Sequence, residues 1–160
     1  MFITAVFDRT EKDVQKVREY REIGYRNLTD EQKKEYNDNL KGAWNCTDMN
    51  RLENNIQFLS DLFKIDGINT KTDWNYTDIA SVQDFGRVID NINKLKSSVK
   101  IRSDTPKTPT LPINTYQKVN DLEKILYDIY YVFQNETAAF ARNNETFGAE
   151  LYCGDTTEAI

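Results

Sequence analysis

The sequence contains no histidine and only two cysteines among its 160 residues. Histidine is the usual general base and metal ligand near neutral pH, so its absence removes the Ser/His and Cys/His schemes of nucleophilic catalysis. Cys46 and Cys153 are too few for a disulfide framework and do not have the spacing of a zinc site. Neither a Gly-rich phosphate loop nor an EF-hand pattern is present. The residues therefore predict a protein that is not an enzyme and that has no metal or organic cofactor.

Long apolar runs and an excess of positive charge are also missing. No stretch approaches the roughly 18–20 apolar residues that span a bilayer, and the first residues lack the pattern of a signal peptide. The 26 acidic and 21 basic residues give a net charge of −5 at pH 7, whereas nucleic-acid-binding proteins usually carry a basic stripe. We expect a soluble chain, made in a cytoplasm, without a membrane span and without affinity for nucleic acid.

Threonines and glycines divide the chain into segments that are typical of capped helices. Threonine accepts hydrogen bonds from the free N–H groups of a first turn, and glycine tolerates the left-handed conformation just after a helix. Apolar residues at the helical period fill these segments. They predict amphipathic helices over about 11–23, 30–41, 48–65, 78–98 and 115–138. The expected fold class is mainly α, a helical bundle built from repeated capped helices with short β-prone terminal arms.

Composition suggests how these parts are arranged along the chain. Three prolines favour an extended, semi-rigid linker between the fourth and fifth helices. The predicted organisation is an N-terminal arm (1–7), a helical repeat body (8–101), a proline-containing linker (102–113), a long C-terminal helix (114–145) and a C-terminal arm (146–160).

Both arms are short and rich in β-forming or apolar residues. The N-terminal arm carries Phe2 and Phe7, and the C-terminal arm carries Phe147, Leu151 and Tyr152. Neither arm is long enough to bury these side chains alone, and unpaired apolar strands are an aggregation hazard. We therefore expect both arms to contact neighbouring subunits, with pairing of the two arms inside one molecule as the alternative.

A six-residue motif occurs twice, as WNCTDM at 44–49 and as WNYTDI at 74–79. This register of 30 residues continues through the apolar positions of the helices that follow, which indicates a repeated supersecondary unit. The Thr-Asp pair of each copy is expected to cap a helix and to place negative charge at its positive end. These pairs are Thr47 with Asp48 and Thr77 with Asp78.

The two tryptophans of the protein, Trp44 and Trp74, occupy the same position in the two copies of the motif. Each is expected to pack over the helical turn that follows it and to set the angle at which the chain enters the helix. The alternative is that both side chains form a paired aromatic platform for a sugar or a protein partner.

Six segments, taken together, resemble a known group of proteins. They are 8–14, 41–53, 71–74, 115–116, 120–124 and 148–152. They are similar to tail-region structural proteins of tailed bacteriophages and prophages of low-GC Gram-positive bacteria. The resemblance implies a place in the tail region of the virion, after synthesis in the cytoplasm of the host bacterium, and implies no particular biochemical activity.

These observations predict a structural adaptor of a phage tail or baseplate, which mediates protein–protein assembly near the fibre or receptor-binding apparatus. Its expected partners are other tail or baseplate proteins and further copies of itself, because a thin core gains stability from assembly. One alternative is a receptor-binding module that recognises cell-surface carbohydrate through Trp44 and Trp74. Another is a small cytoplasmic regulator encoded beside phage genes.

Overall fold

A computed structural model describes the backbone of residues 1–37 and 40–152, and the side chains of these residues up to Ala138. Within these ranges the chain forms five α-helices and one 3-10 turn, Tyr25–Asn27, and has no strand. With 60% of the residues helical, the predicted mainly α fold is confirmed. The helices are α1 (Glu11–Ile23), α2 (Asp30–Asn37), α3 (Cys46–Phe63), α4 (Val82–Ser98) and α5 (Tyr116–Tyr152).

Polar side chains determine where the helices begin. Thr10 and Ser81 cap α1 and α4, and each exchanges hydrogen bonds with an aspartate three residues later, which is the reciprocal arrangement of a capping box. The cap of α3 is Asn45, whose Oδ1 accepts hydrogen bonds from the N–H groups of Thr47 and Asp48 at 2.9 and 3.2 Å. Thr47 therefore lies inside the first turn of α3 and is not its cap, in contrast to the prediction.

The second copy of the repeated motif does not begin a helix. The N–H of Thr77 donates to Asn75 Oδ1 at 2.9 Å, and the N–H of Asn75 donates to Asp78 Oδ2 at 3.1 Å. This is the same polar turn as at the start of α3, but α4 begins only after Ser81. The predicted helix start at 78, capped by Thr77 and Asp78, is wrong because Ser81 and Asp84 form a complete capping box further along the chain.

Three helices, α3, α4 and α5, pack side by side and run in the same direction. Contacts between α3 and α5 advance together along both helices. They join Arg51 to Glu123, Phe58 to Tyr130 and Phe63 to Phe133. In α4, Arg87 near the start binds Glu53, and Lys94 near the end reaches the carbonyl of Gly67, just beyond α3.

Between α3 and α4, residues 64–81 carry the chain back to the end of the bundle where the helices start. The carbonyl of Asn69 accepts a hydrogen bond from Asn91 of α4 at 2.7 Å. Further along, the N–H of Lys71 donates to Glu53 of α3 at 2.7 Å. The return segment is therefore anchored to both helices, which allows two consecutive helices to be parallel.

Residues 99–115 return along α4 in the same manner and lead into α5. The carbonyl of Pro106 accepts a hydrogen bond from Lys96 at 3.0 Å, and the side chain of Leu111 lies beside Gly86. The proline-containing linker therefore packs along the bundle, and α5 packs back against α3 and α4.

Thr115 precedes α5 as Asn45 and Ser81 precede α3 and α4, and its hydroxyl accepts a hydrogen bond from the N–H of Lys118 at 3.3 Å. Equivalent positions after these three caps supply nine side chains of the main core, each at most 1% exposed. They are Leu52, Val88 and Leu122, then Ile56, Ile92 and Leu126, then Leu59, Leu95 and Ile129. The caps recur roughly every 35 residues, a period typical of helical repeats. The predicted register of 30 residues is wrong, because it pairs the buried Leu52 with Val82, which is 59% exposed.

The N-terminal helices are held by a second, smaller apolar cluster. It contains Val17 and Tyr20 of α1 together with Leu28 and Leu40, and Ala43 packs against it. The hydroxyl of Tyr20 also donates to Glu35 of α2 at 2.7 Å. This cluster is separate from the main core, so α1 and α2 form a side layer of the bundle.

The last helix continues through Tyr152, so the chain does not form an extended arm at 147–152. Phe147 and Leu151 are four residues apart, a spacing that suits a helix face as well as it suits alternate positions of a strand. The prediction of a β-prone arm is wrong for this part, and residues 153–160 lie outside the described residues. None of the helices in the described ranges has both the length and the apolarity to cross a membrane.

Candidate functional site

The first ten residues have no regular secondary structure and lie against α3 and α5. The ring of Phe2 stacks on Tyr130 with centroids 4.4 Å apart. Asn55 binds both backbone groups of Ile3, accepting from its N–H at 2.7 Å and donating to its carbonyl at 2.8 Å. Side chains of the bundle thus take the place of a pairing strand for this segment.

Phe7 is placed in a similar way, with its ring 5.1 Å from that of Tyr127. The chain therefore half-buries the aromatic residues of its own N-terminal arm, and contact of this arm with a neighbouring subunit stays a prediction. Strand pairing of this arm with residues 147–152 is not formed, because α3 and α5 bind the backbone of the first arm and residues 147–152 are helical. The rest of the second arm, residues 153–160, lies outside the described residues.

A buried ionic cluster joins the N-terminal segment to the bundle. Arg9 Nη2 lies 2.9 Å from Asp48 Oδ1 and 3.4 Å from Glu123 Oε1, and Arg51 pairs with the same two carboxylates. Glu123 is 1% exposed and also accepts from the N–H of Val6 at 2.8 Å. Two cations balance two anions, as burial of charge requires, so the cluster is a structural link between three segments.

Glu53 organises a second buried cluster on the other side of α3. It is fully buried and accepts hydrogen bonds from the N–H of Lys71 at 2.7 Å and from Trp74 Nε1 at 3.1 Å. Arg87 of α4 supplies the compensating charge. Neither cluster was predicted from the sequence, although one signal was present. An aspartate is followed three residues later by an arginine at the start of α3, as Asp48 and Arg51, and again at the start of α4, as Asp84 and Arg87.

The two tryptophans occupy different environments despite their matching positions in the motif. Trp74 is 6% exposed, and the ammonium group of Lys71 lies 4.1 Å from its ring centroid. Trp44 is half-buried between the guanidinium of Arg9, at 5.6 Å, and the ring of Phe85, at 6.1 Å. Because Trp74 is in the core, the paired aromatic platform for a sugar is not formed.

Two cavities lie at the end of the bundle where α3, α4 and α5 start, and Trp44 and Phe85 line both. The smaller cavity has a volume of about 260 Å³ and is also lined by Met49, Trp74 and Ile79. The larger cavity, of about 490 Å³, lies between α1 and the start of α5. Its apolar wall consists of Val14, Trp44, Phe85, Ile113 and Val119, and its polar lining includes Arg18 and Glu11.

An exposed apolar surface adjoins these cavities. Tyr76, Ile79 and Val82, which we call the apolar loop, are 90%, 91% and 59% exposed. Single exposed apolar residues are ordinary, but a cluster of large ones on one short segment indicates a contact surface.

Most of the shifted pKa values among the described residues belong to helix caps and ion pairs. The hydrogen bond from the Ser81 hydroxyl lowers the pKa of Asp84. Pairing with Arg102 lowers the pKa of Asp104 to about 2, and burial raises the pKa of Asp121. The lowered values keep carboxylates charged where the charge stabilises a helix start or a loop.

In the part of the chain that the structure describes, no group of three or more His, Cys, Asp or Glu side chains is placed to hold a metal ion. Comparisons with protein-family models, with curated proteins and with solved structures found no match to this chain. The features left to suggest a function are the extended α5, the apolar loop and the two cavities beside that loop.

Proposed function

We propose that the protein is a structural adaptor of a phage tail or baseplate, which joins other tail proteins near the fibre or receptor-binding apparatus. Its role is assembly and not catalysis, and its location is the tail region of the virion. The resemblance of its sequence segments to tail-region proteins of Gram-positive phages supports the location. The length of α5 supports the adaptor role.

α5 extends well beyond the helices that it packs against. Phe63, the last residue of α3, contacts Phe133 of α5 with ring centroids 5.8 Å apart. From that contact α5 continues to Tyr152, a further length of roughly 28 Å at 1.5 Å per residue. Residues 134–138 are exposed. We call residues 134–152 the helical arm, and a projecting helix of this length is a suitable element for binding a partner.

The sequence of the helical arm contains an apolar stripe. By their spacing in the sequence, Phe140, Phe147 and Leu151 fall on one face of the helical backbone. Ala138 and Ala149 fall on the opposite face. An amphipathic helix recognises its partner by placing such a face in an apolar groove or against another helix.

The test is incorporation of variants into particles, measured by quantitative mass spectrometry of purified virions. Substituting both Phe140→Glu and Phe147→Glu is expected to lower incorporation at least tenfold, since two charges would enter an apolar contact. The matched control, Ala138→Glu with Ala149→Glu, adds the same charge to the opposite face and is expected to be incorporated normally. Equal incorporation of the two variants would contradict an adaptor role for the arm.

A further inference from the structure

The apolar loop is held in one conformation although its side chains point away from the core. Asp78, between the exposed residues, accepts a hydrogen bond from the N–H of Asn75 at 3.1 Å and pairs with Lys71 at 2.9 Å. Ser81, between Ile79 and Val82, caps α4. Tyr76 and Ile79 are therefore presented from a fixed backbone, which lowers the conformational entropy that a contact would cost.

The larger cavity has the size and lining to accept such side chains. Its volume of about 490 Å³ lies within the roughly 300–1,000 Å³ of ordinary binding pockets. Val14, Ile113 and Val119 contribute aliphatic surface, and Trp44 and Phe85 contribute aromatic surface. Burying an aliphatic side chain here removes apolar surface from water on both partners.

The loop and the larger cavity are neighbours on the same end of the molecule. Ile79 lines the smaller cavity together with Trp44 and Phe85, and these two aromatic residues also line the larger cavity. When a protrusion lies beside a depression, two copies related by a two-fold axis each place their protrusion in the depression of the other.

We propose that this end of the bundle is a two-fold interface between two copies of the chain, in which Ile79 and Tyr76 of each copy enter the larger cavity of the other. The charges nearest the loop suit this contact. Asp78 is already paired with Lys71, and Asp84 with Arg87. Both carboxylates therefore enter the interface with their charge already balanced. Self-association is a property of the isolated protein, so the proposal stands apart from the tail role.

The first measurement is the association constant of the full chain by sedimentation equilibrium. Ile79→Asn is expected to raise the dissociation constant of the dimer about 100-fold, since a symmetric interface loses two buried isoleucines. The matched control is Ile23→Asn, which changes the same residue type at an exposed site on α1 and should leave association unchanged. Both variants should keep the thermal unfolding midpoint of the wild type, because both side chains are exposed.

A mixing experiment tests the pairing itself. Val14→Phe fills the larger cavity but keeps the apolar loop, whereas Ile79→Asn keeps the cavity and alters the loop. Each variant alone should associate weakly, but an equal mixture should form heterodimers that retain one intact contact, at least tenfold tighter than either alone. A wild type that stays monomeric at several hundred micromolar would overturn the proposal. So would a mixture that associates no better than its components. A dimer that is absent from virions would contradict only the tail role.

Discussion

At the scale of single residues, buried charge is the main feature of this small protein. Arg9, Asp48 and Glu123 are each less than a tenth exposed, and they tie the N-terminal segment to α3 and α5. From the sequence, Asp48 is predictable only as an acidic residue at a helix start, because no local feature shows that Glu123, 75 positions away, binds the same arginines. Contacts between residues distant in sequence are set by packing and not by local propensity.

The cluster makes a direct prediction about stability. Glu123→Gln leaves two buried guanidinium groups with one carboxylate, and removing one partner of a buried pair typically costs 3–5 kcal/mol. We expect the free energy of unfolding to fall by about 3 kcal/mol in urea denaturation. The control Glu22→Gln, at an exposed position of α1, should change it by less than about 0.5 kcal/mol. Equal effects of the two substitutions would contradict the description of a compensated buried cluster.

Titration of the capping aspartates predicts how stability depends on pH. The folded pKa of Asp84 lies below its ordinary value of 3.8 because the Ser81 hydroxyl donates to it, and that of Asp13 is lowered in the same way by Thr10. The unfolded chain therefore binds these protons more tightly, so the stabilisation is present above 3.8 and is lost as the pH falls through the lowered values.

Thermal unfolding between about pH 5 and about pH 2 measures this effect. The wild type should lose stability steadily over that range, and Asp84→Asn should lose less of it because one of the linked groups is gone. The same acid dependence in both proteins would show that the Asp84 cap does not contribute.

At the scale of the elements, local signals predicted most helices and failed where two signals competed. The bounds of α1 agree with the prediction because Thr10 forms a complete capping box and Gly24 follows the last turn. The start of α4 was misplaced because Thr77-Asp78 makes the same turn as the start of α3, and the stronger capping box at Ser81 comes later. The parallel arrangement and the cavities were not predictable, since they depend on return segments that follow neither helical nor strand periodicity.

Two glycines illustrate how element packing decides the effect of a substitution. A Cβ at Gly42 would lie 2.1 Å from the carbonyl oxygen of Asp13, so alanine there must push α1 away from its place. We expect Gly42→Ala to destabilise the protein by about 2 kcal/mol. At Gly86, inside α4, the nearest atom to an added Cβ is Leu111 Cδ1 at 3.9 Å, so Gly86→Ala should stabilise it by about 0.5–1 kcal/mol. The measurement is the denaturation midpoint of each variant relative to the wild type. Midpoints that shift in the same direction for both variants would contradict the packing described at these two glycines.

At the scale of the whole molecule, the two ends of the parallel bundle differ in what they present. The end where the helices start carries the apolar loop and both cavities, and the helical arm leaves from the opposite end. Such a molecule is suited to pair with a second copy at one end and to reach a different protein at the other. The helical arm is the element that supports the proposed adaptor role, and the proposed contact between two copies uses a separate surface.

The most direct test of that role is to locate the wild-type protein in assembled particles. Purified virions of a phage that encodes this chain should be analysed by quantitative mass spectrometry and labelled with an antibody against the bundle for electron microscopy. The account predicts that the chain is present in a fixed ratio to known tail proteins and that the label binds at the tail end of each particle. A chain that is abundant in infected cells and absent from purified particles would contradict it.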